Sequence, residues 1–308
     1  MTTRAPTPKR FIVAGAGLAG SLLALALARR GHHVQVFERR PDPRASGFAG
    51  GRSINLALSV RGVTALERFG VADRVLQDVI PMRGRMMHSP SGHLAFQPYS
   101  RIEGEAINSV SRGGLNKTLL SAAEQHENVR IRFAVRCLDV DFNAPRAHFR
   151  DDESGEEFSA EADAIIGTDG AFSAVRGAMQ KTDRFNYSQT YLEHGYKELH
   201  IPATPDGRHA MEPNALHIWP RGGSMMIALP NPDKSFTCTL FWPYEGEHSF
   251  AAVRTRADVR PFFERHYPDA AALMPTLEDD FDRNPTSSLV TIRCSPWVIG
   301  RVALLLGG

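Results

Sequence analysis

Phe11-Ile12-Val13-Ala14-Gly15-Ala16-Gly17-Leu18-Ala19-Gly20, running on into Ser21–Arg30, decides the fold. A short apolar run meets a Gly-x-Gly-x-x-Gly turn, and an alanine- and leucine-rich stretch follows at once. The order predicts strand, phosphate loop and helix. Gly15 permits the sharp turn, Gly17 lets backbone approach a pyrophosphate, and Gly20 allows close packing of helix on strand. Free N–H groups at the helix start, with the positive end of the helix dipole, supply an anion site. A second strand, His33–Phe37, ends at Glu38, about 20 residues further on, where an acid can accept hydrogen bonds from a ribose. The stretch predicts a dinucleotide site.

Lys9-Arg10 before apolar Phe11–Ala28 imitates a secretory leader. The glycine spacing and the βαβ pattern argue against one, and Gly, Ser and Arg29-Arg30 make the run a poor bilayer span. A cytoplasmic protein without a membrane segment is expected. At 308 residues the chain can hold one large or two ordinary domains, and 42% hydrophobic with 23% charged residues is ordinary globular composition. A net charge of +2 implies no nucleic-acid partner. The three cysteines, Cys137, Cys238 and Cys294, are far apart and read as buried thiols in a reducing compartment. No metal site is indicated.

Further along, Gly51–Ser59 reads as a short strand or extended loop returning toward the nucleotide, and Val60–Phe69 and Val71–Val79 as helices. Pro81–Tyr99 reads as short strands, with Arg83 and Arg85 sharing one face. Arg112–Glu124 is predicted as a helix, Val129–Phe142 as a strand with a bend, and 146–168 as a meander ending in Ala164–Gly167. Tyr196–Ile201, Leu216–Pro220, Met225–Leu229 and Phe236–Trp242 have the spacing of antiparallel hairpins. Ser249–His266 reads as helical despite Pro261. Leu289–Arg293 and Val302–Leu306 are strands, the last apolar enough for the centre of a parallel sheet. The fold expected is α/β: a discontinuous Rossmann-like dinucleotide-binding domain (1–80, 100–180 and 289–308), with an inserted antiparallel β-sheet substrate domain (81–99 and 181–288).

Gly167-Thr168-Asp169-Gly170-Ala171-Phe172-Ser173-Ala174-Val175-Arg176 resembles the D-G-x-x-S-x-x-R motif of flavin-dependent aromatic hydroxylases at all four fixed positions. A strand-end Asp backed by a Gly turn can face a polyol or pyrophosphate, while Arg176 neutralises charge or braces the loop. Gly51-Arg52-Ser53-Ile54-Asn55-Leu56-Ala57 looks like one branch of that family, the kynurenine 3-monooxygenases. Met82–Met86, Gln97–Tyr99, His194–Leu199, Glu212–Pro220, Ile227–Asn231 and Ser235–Phe241 repeat the likeness, which covers essentially the whole chain.

The resemblance implies that the nucleotide domain is an FAD-binding domain of the glutathione-reductase type, with FAD held by Gly15, Gly17, Leu18, Ala19, Gly20, Glu38, Arg39, Arg40, Arg52, Ala57, Arg112, Val135 and Asp169. It also implies that Arg85 and Tyr99 hold the carboxylate of kynurenine, with Leu216, Met225, Leu229 and Phe241 lining the aromatic pocket. A planar guanidinium fork suits a carboxylate, and Tyr adds one more donor. NADPH is the implied reductant and O2 the oxygen donor, hydroxylation falling ortho to the ring amine. The aniline ring is electron-rich, so no catalytic acid or base is nominated.

A homodimer is compatible with the family. In the family the last apolar strand runs into Gly-Asp-Ala-Ala-His, whereas Gly308 stands at the Asp position here. The expectation is therefore a chain without the flavin-facing loop and C-terminal helices, which as given does not turn over. A non-catalytic fragment and a hydroxylase of a related ortho-amino aromatic remain alternative readings.

Overall fold

The computed structural model describes residues 7–46 and 55–305. Arg52 and the residues around it, like Gly308, lie outside that range. The first strand, β1 (Arg10–Ala14), stops where Gly15 takes a φ of +102°, a left-handed turn that glycine adopts without steric cost. α1 (Leu18–Ala28) and the parallel β2 (His33–Phe37) complete the expected unit. A single turn, α2 (Pro43–Ser46), precedes β3 (Asn55–Leu58) and α3 (Val60–Arg68). α4 covers only Ala72–Leu76, because the chain leaves the helix for β4 (Ile80–Met82).

β5 (Gly84–His88), β6 (Leu94–Pro98) and β7 (Ile107–Ser111) lead into α5, which spans Arg112–Glu124 as the sequence predicts. Ser111 caps α5, its Oγ accepting from the Gly114 N–H at 3.1 Å. The expected strand 129–142 divides into β8 (Val129–Arg132) and β9 (Val135–Asp141) at Ala134, whose φ is +55°. β10 (Arg146–Asp151), β11 (Glu157–Glu161) and β12 (Ala164–Gly167) follow, then the short helix α6 (Ala174–Met179).

β13 (Asn186–Ile201), β14 (Ala215–Arg221), β15 (Ser224–Pro230) and β16 (Phe236–Pro243) form the predicted antiparallel run. α7 (Arg256–His266) starts later than the sequence suggests, where the Asp258 carboxylate accepts from the Thr255 N–H at 2.8 Å and caps it. α8 (Pro268–Ala271), α9 (Leu277–Arg283), β17 (Ser287–Ser295), β18 (Val298–Ile299) and β19 (Val302–Leu304) complete the order.

Six strands, in the order β18-β19-β12-β1-β2-β8, make the nucleotide sheet. Val13 faces one core with α1 and α5, while Ile12 and Ala14 face a second core under the β11-β10-β9 sheet and α6. β19 pairs in parallel with β12, but antiparallel β18 lies outside it, so β19 stands next to the edge rather than at the centre.

The second large sheet has the order β17-β13-β16-β15-β14-β5-β6. Two expected domain limits fall inside strands. β4 joins β3 and β7 in a small sheet of its own, across the limit at 81. β17 pairs with β13 from Ser287 to Ser295, across the limit at 289, because β13 begins ten residues before Tyr196 and its first half needs a partner.

One face of the seven-stranded sheet is covered by α7, α8 and α9. Leu199, Trp219, Met226, Ala228, Cys238, Leu240 and Trp242 point into that core with Val259, Phe263, Tyr267 and Leu277. Strand alternation sends the intervening residues to the other face.

Candidate functional site

The two glycine motifs meet at the ends of β1 and β12. The Thr168 hydroxyl donates to the carbonyls of Ala14 (2.9 Å) and Gly15 (2.7 Å), tying one motif to the other. The buried Asn116 amide, reaching from α5, donates to Ala16 O at 3.0 Å and to Ser21 Oγ at 3.1 Å. These hydrogen bonds fix the loop from below. Thr168, Asn116 and Ser21 escape a sequence reading because each looks like an ordinary small polar residue in an apolar context.

Above the loop the chain is open. A Cβ on Gly17 would meet no atom of the described residues within 4 Å, so none of them requires glycine there. Among the described residues no side chain caps the N-terminus of α1, in contrast to α5 and to α6, which Ser173 caps. The leading N–H groups, beside half-exposed Leu18 and Ala19, thus face outward as an anion site. Glu38 stands at the end of β2, its Oε2 accepting from the Ala16 N–H (2.8 Å) and its Oε1 from the Arg40 N–H (3.0 Å). Each carboxylate oxygen keeps a further lone pair for a ribose hydroxyl. Arg39 and Arg40 are exposed beside it.

The Asp169 motif resolves into a self-braced turn. Asp169 Oδ2 accepts from the Ala174 N–H at 2.7 Å, and Ser173 Oγ from the Arg176 N–H at 2.9 Å. The buried Arg176 guanidinium donates to the carbonyls of Gly170 and Ala171, so this arginine braces the loop and does not face a ligand charge. Asp169 Oδ1 is buried with no hydrogen-bond partner among the described residues. A polyol hydroxyl would satisfy it, as a phosphate oxygen could not. The open glycine loop, the uncapped helix, Glu38 and this orphan oxygen fit the pyrophosphate, ribose and ribityl parts of FAD.

Of the other cofactor candidates, Arg112 is half-buried at the first turn of α5 and Ala57 is exposed on β3. Val135 is fully buried and gives its N–H to Glu38 O at 2.9 Å, which leaves its side chain no ligand contact. Cys238 is buried, and burial pushes the Cys137 thiol up to about 12, so neither serves as a nucleophile.

The substrate candidates gather on the helix-free face of the seven-stranded sheet. Arg85 on β5 lies beside Leu216 on β14, and the register that sets His217 opposite Ala228 brings Leu216 level with Leu229. Met225 pairs with Phe241 at the other end of the same face. The Arg85 guanidinium lies 5.1 Å over the Tyr99 ring. Burial raises the Tyr99 hydroxyl above its usual range, partly offset by the neighbouring Arg85 guanidinium. Arg83 does not join Arg85 on a strand. It falls in the gap between β4 and β5, although both side chains are exposed.

Asn55 closes the gap between the two sheets. Its Nδ2 donates to Asn231 Oδ1 (2.6 Å), Ser109 Oγ (3.1 Å) and Pro230 O (3.2 Å), and Ser109 Oγ donates to Pro230 O at 2.8 Å. The Leu229 end of the apolar face is therefore pinned against the nucleotide half.

Residues 10–304 match the family model for the FAD binding domain. The kynurenine 3-monooxygenase of Myxococcus xanthus is 51% identical over 295 residues, covering 96% of this chain and 64% of that protein. The kynurenine 3-monooxygenase of Dictyostelium discoideum is 48% identical over 299 residues, covering 97% of this chain and again 64% of the relative. The chain thus spans a little under two thirds of the length of these relatives. Among solved structures, 2-methyl-3-hydroxypyridine-5-carboxylic acid oxygenase superposes with a TM-score of 0.72 at 23% identity, over 97% of this chain and 75% of that one. The p-nitrophenol 4-monooxygenase of Pseudomonas putida gives 0.72 at 17% identity, over 96% and 72%. At such identities these structures establish the shared fold.

Proposed function

We propose that this chain, which belongs to the FAD binding domain family, binds FAD along Gly15–Gly20 and holds kynurenine by its carboxylate for ring hydroxylation. The observation that carries the substrate reading is the Arg85–Tyr99 pair at the head of the half-open apolar face formed by Leu216 and Leu229. The names of the relatives point the same way.

The N-terminal N–H groups of α1 bind the pyrophosphate, Glu38 the adenosine ribose, and Asp169 Oδ1 a ribityl hydroxyl. When bound, FAD supplies the redox chemistry, taking electrons from NADPH and activating O2. Arg85 and Tyr99 fix one end of the amino acid, and Leu216 and Leu229 exclude water along its ring. An electron-rich aniline ring needs no protein base, and none is assigned.

The test is calorimetric titration of the FAD-loaded protein with kynurenine and with its decarboxylated amine. Arg85→Met should weaken kynurenine binding by about 2 kcal/mol, the worth of a charge-assisted hydrogen bond, and leave the amine unaffected. An undiminished preference for the carboxylated ligand in that variant overturns the assignment.

A further inference from the structure

On the helix-covered face, directly behind the Arg85 strand, lies a chain of buried polar groups that the proposed chemistry does not use. His88, the last residue of β5, is 4% exposed, and His217 on β14 is 2% exposed. His88 Nδ1 meets Asp269 Oδ2 of α8 at 2.6 Å, and His88 Nε2 meets His217 Nδ1 at 2.8 Å. His217 Nε2 lies 2.8 Å from the carbonyl oxygen of Glu212, and the Trp219 indole N–H donates to the same Asp269 Oδ2 at 2.9 Å.

The direction of the chain follows from its ends. A carbonyl only accepts, so His217 Nε2 carries a hydrogen and, with burial keeping this ring neutral, Nδ1 offers a lone pair. His88 Nε2 therefore donates to His217, and His88 Nδ1 is hydrogen-bonded to Asp269 Oδ2 on its other side. The His88 main chain is held as well, its carbonyl accepting from Arg221 Nη1 at 2.9 Å. Three elements (β5, β14 and α8) are thus locked through one imidazole. β5 needs such a lock, since its outer neighbour β6 is exposed along its whole length.

We propose that His88, held between Asp269 and His217, is a positioning residue that fixes β5 so that Arg85 on the opposite face meets both the Tyr99 ring and the substrate carboxylate. The inference rests on the reading of Arg85 as carboxylate anchor. It predicts an effect on ligand discrimination across the thickness of the sheet, where no ligand touches His88.

The experiment compares dissociation constants for kynurenine and its decarboxylated amine on FAD-loaded wild type, His88→Ala, His88→Gln, Arg85→Met and Lys197→Met. The last is a stability control. Lys197 is also buried on the helix side, but it donates to Phe281 O (2.8 Å) and Asn284 O (2.6 Å) at the end of α9, away from β5. His88→Ala should cut the preference for the carboxylated ligand about tenfold, the lower end of what a charged hydrogen bond supplies. His88→Gln, which keeps one amide donor, should recover part of it, and Lys197→Met should keep all of it at a comparable loss of thermal stability. If Arg85→Met abolishes the preference while His88→Ala retains it, the positioning role is wrong and the anchor stands. If Arg85→Met itself retains the preference, the anchor reading falls and the inference with it. Should His88→Ala not fold, a wild-type preference in folded His88→Gln and Asp269→Asn overturns the role equally.

Discussion

A Cβ placed on Gly17 meets nothing, whereas one placed on Gly20 lands 2.0 Å from Gly15 O and 2.6 Å from Thr168 Oγ1. The backbone at Gly17 is extended, with φ −68° and ψ −174°, and open to any residue. Gly17→Val should therefore fold with a stability within about 1 kcal/mol of wild type, yet lose the yellow colour of bound flavin. Gly20→Ala should be destabilised by about 1–3 kcal/mol through overpacking before any ligand is added. Urea unfolding of the two apoproteins, followed by flavin absorbance after reconstitution, separates the effects; a coloured Gly17→Val would remove the pyrophosphate from this loop. Glycine spacing in the sequence announces the motif but cannot divide its members into those the protein needs and those a ligand needs. That division appears only when Thr168, about 150 residues later, comes to rest on the loop.

Among the elements, the β5–β14 contact through His88 and His217 carries a measurable pH signature. Burial pushes His217 down to about 4, whereas an unfolded chain protonates its histidines near pH 6.5. Above that pH neither state binds the proton and the contribution to stability is intact. Between 6.5 and 4 the unfolded state binds a proton that the folded state refuses, so stability falls with pH at about 1.4 kcal/mol per unit. From pH 7.5 to 5 the wild type should lose about 2 kcal/mol more than His217→Gln in urea unfolding. An equal loss in both proteins would mean that His217 titrates normally in the fold.

How far such elements were legible in the sequence depended on their periodicity. α5 was readable to the residue, with Ser111 before it and leucines at helical spacing. The first half of β13 was not, because Asn186-Tyr187-Ser188-Gln189-Thr190 is largely exposed and shows no alternation of polar and apolar residues. The Arg85–Tyr99 pair was visible only through a family likeness, since nothing in local spacing tells that the β5–β6 hairpin will bring the two side chains together.

At the scale of the whole molecule, the nucleotide half and the substrate sheet are joined in part by hydrogen bonds at Asn55, beside those of Ser109 with Pro230 and of Asn214 with Pro81. Asn55→Ala leaves Ser109 bound to Pro230 but removes the amide from Asn231, at a cost of about 1–3 kcal/mol for the acceptors left buried. With Arg85 as the proposed carboxylate anchor left untouched, kynurenine should still bind within a few-fold of wild type. The change that the ligand produces in the flavin absorption spectrum should shrink, because the two sites no longer keep a fixed separation. A full-sized spectral change would show that other contacts hold the halves together.

The two-sidedness of the seven-stranded sheet has a consequence for how such a protein can diversify. Neighbouring positions along β14 and β15 answer to different selective demands. Residues 217, 219, 226 and 228 answer to the helices behind the sheet, and residues 216, 218, 225, 227 and 229 to whatever lies in front of it. New ring substituents can thus be accommodated by changing every second codon of two short strands, with the intervening codons left alone. A library restricted to that parity should yield mostly folded proteins with altered ligand preference, and the complementary library mostly unfolded chains.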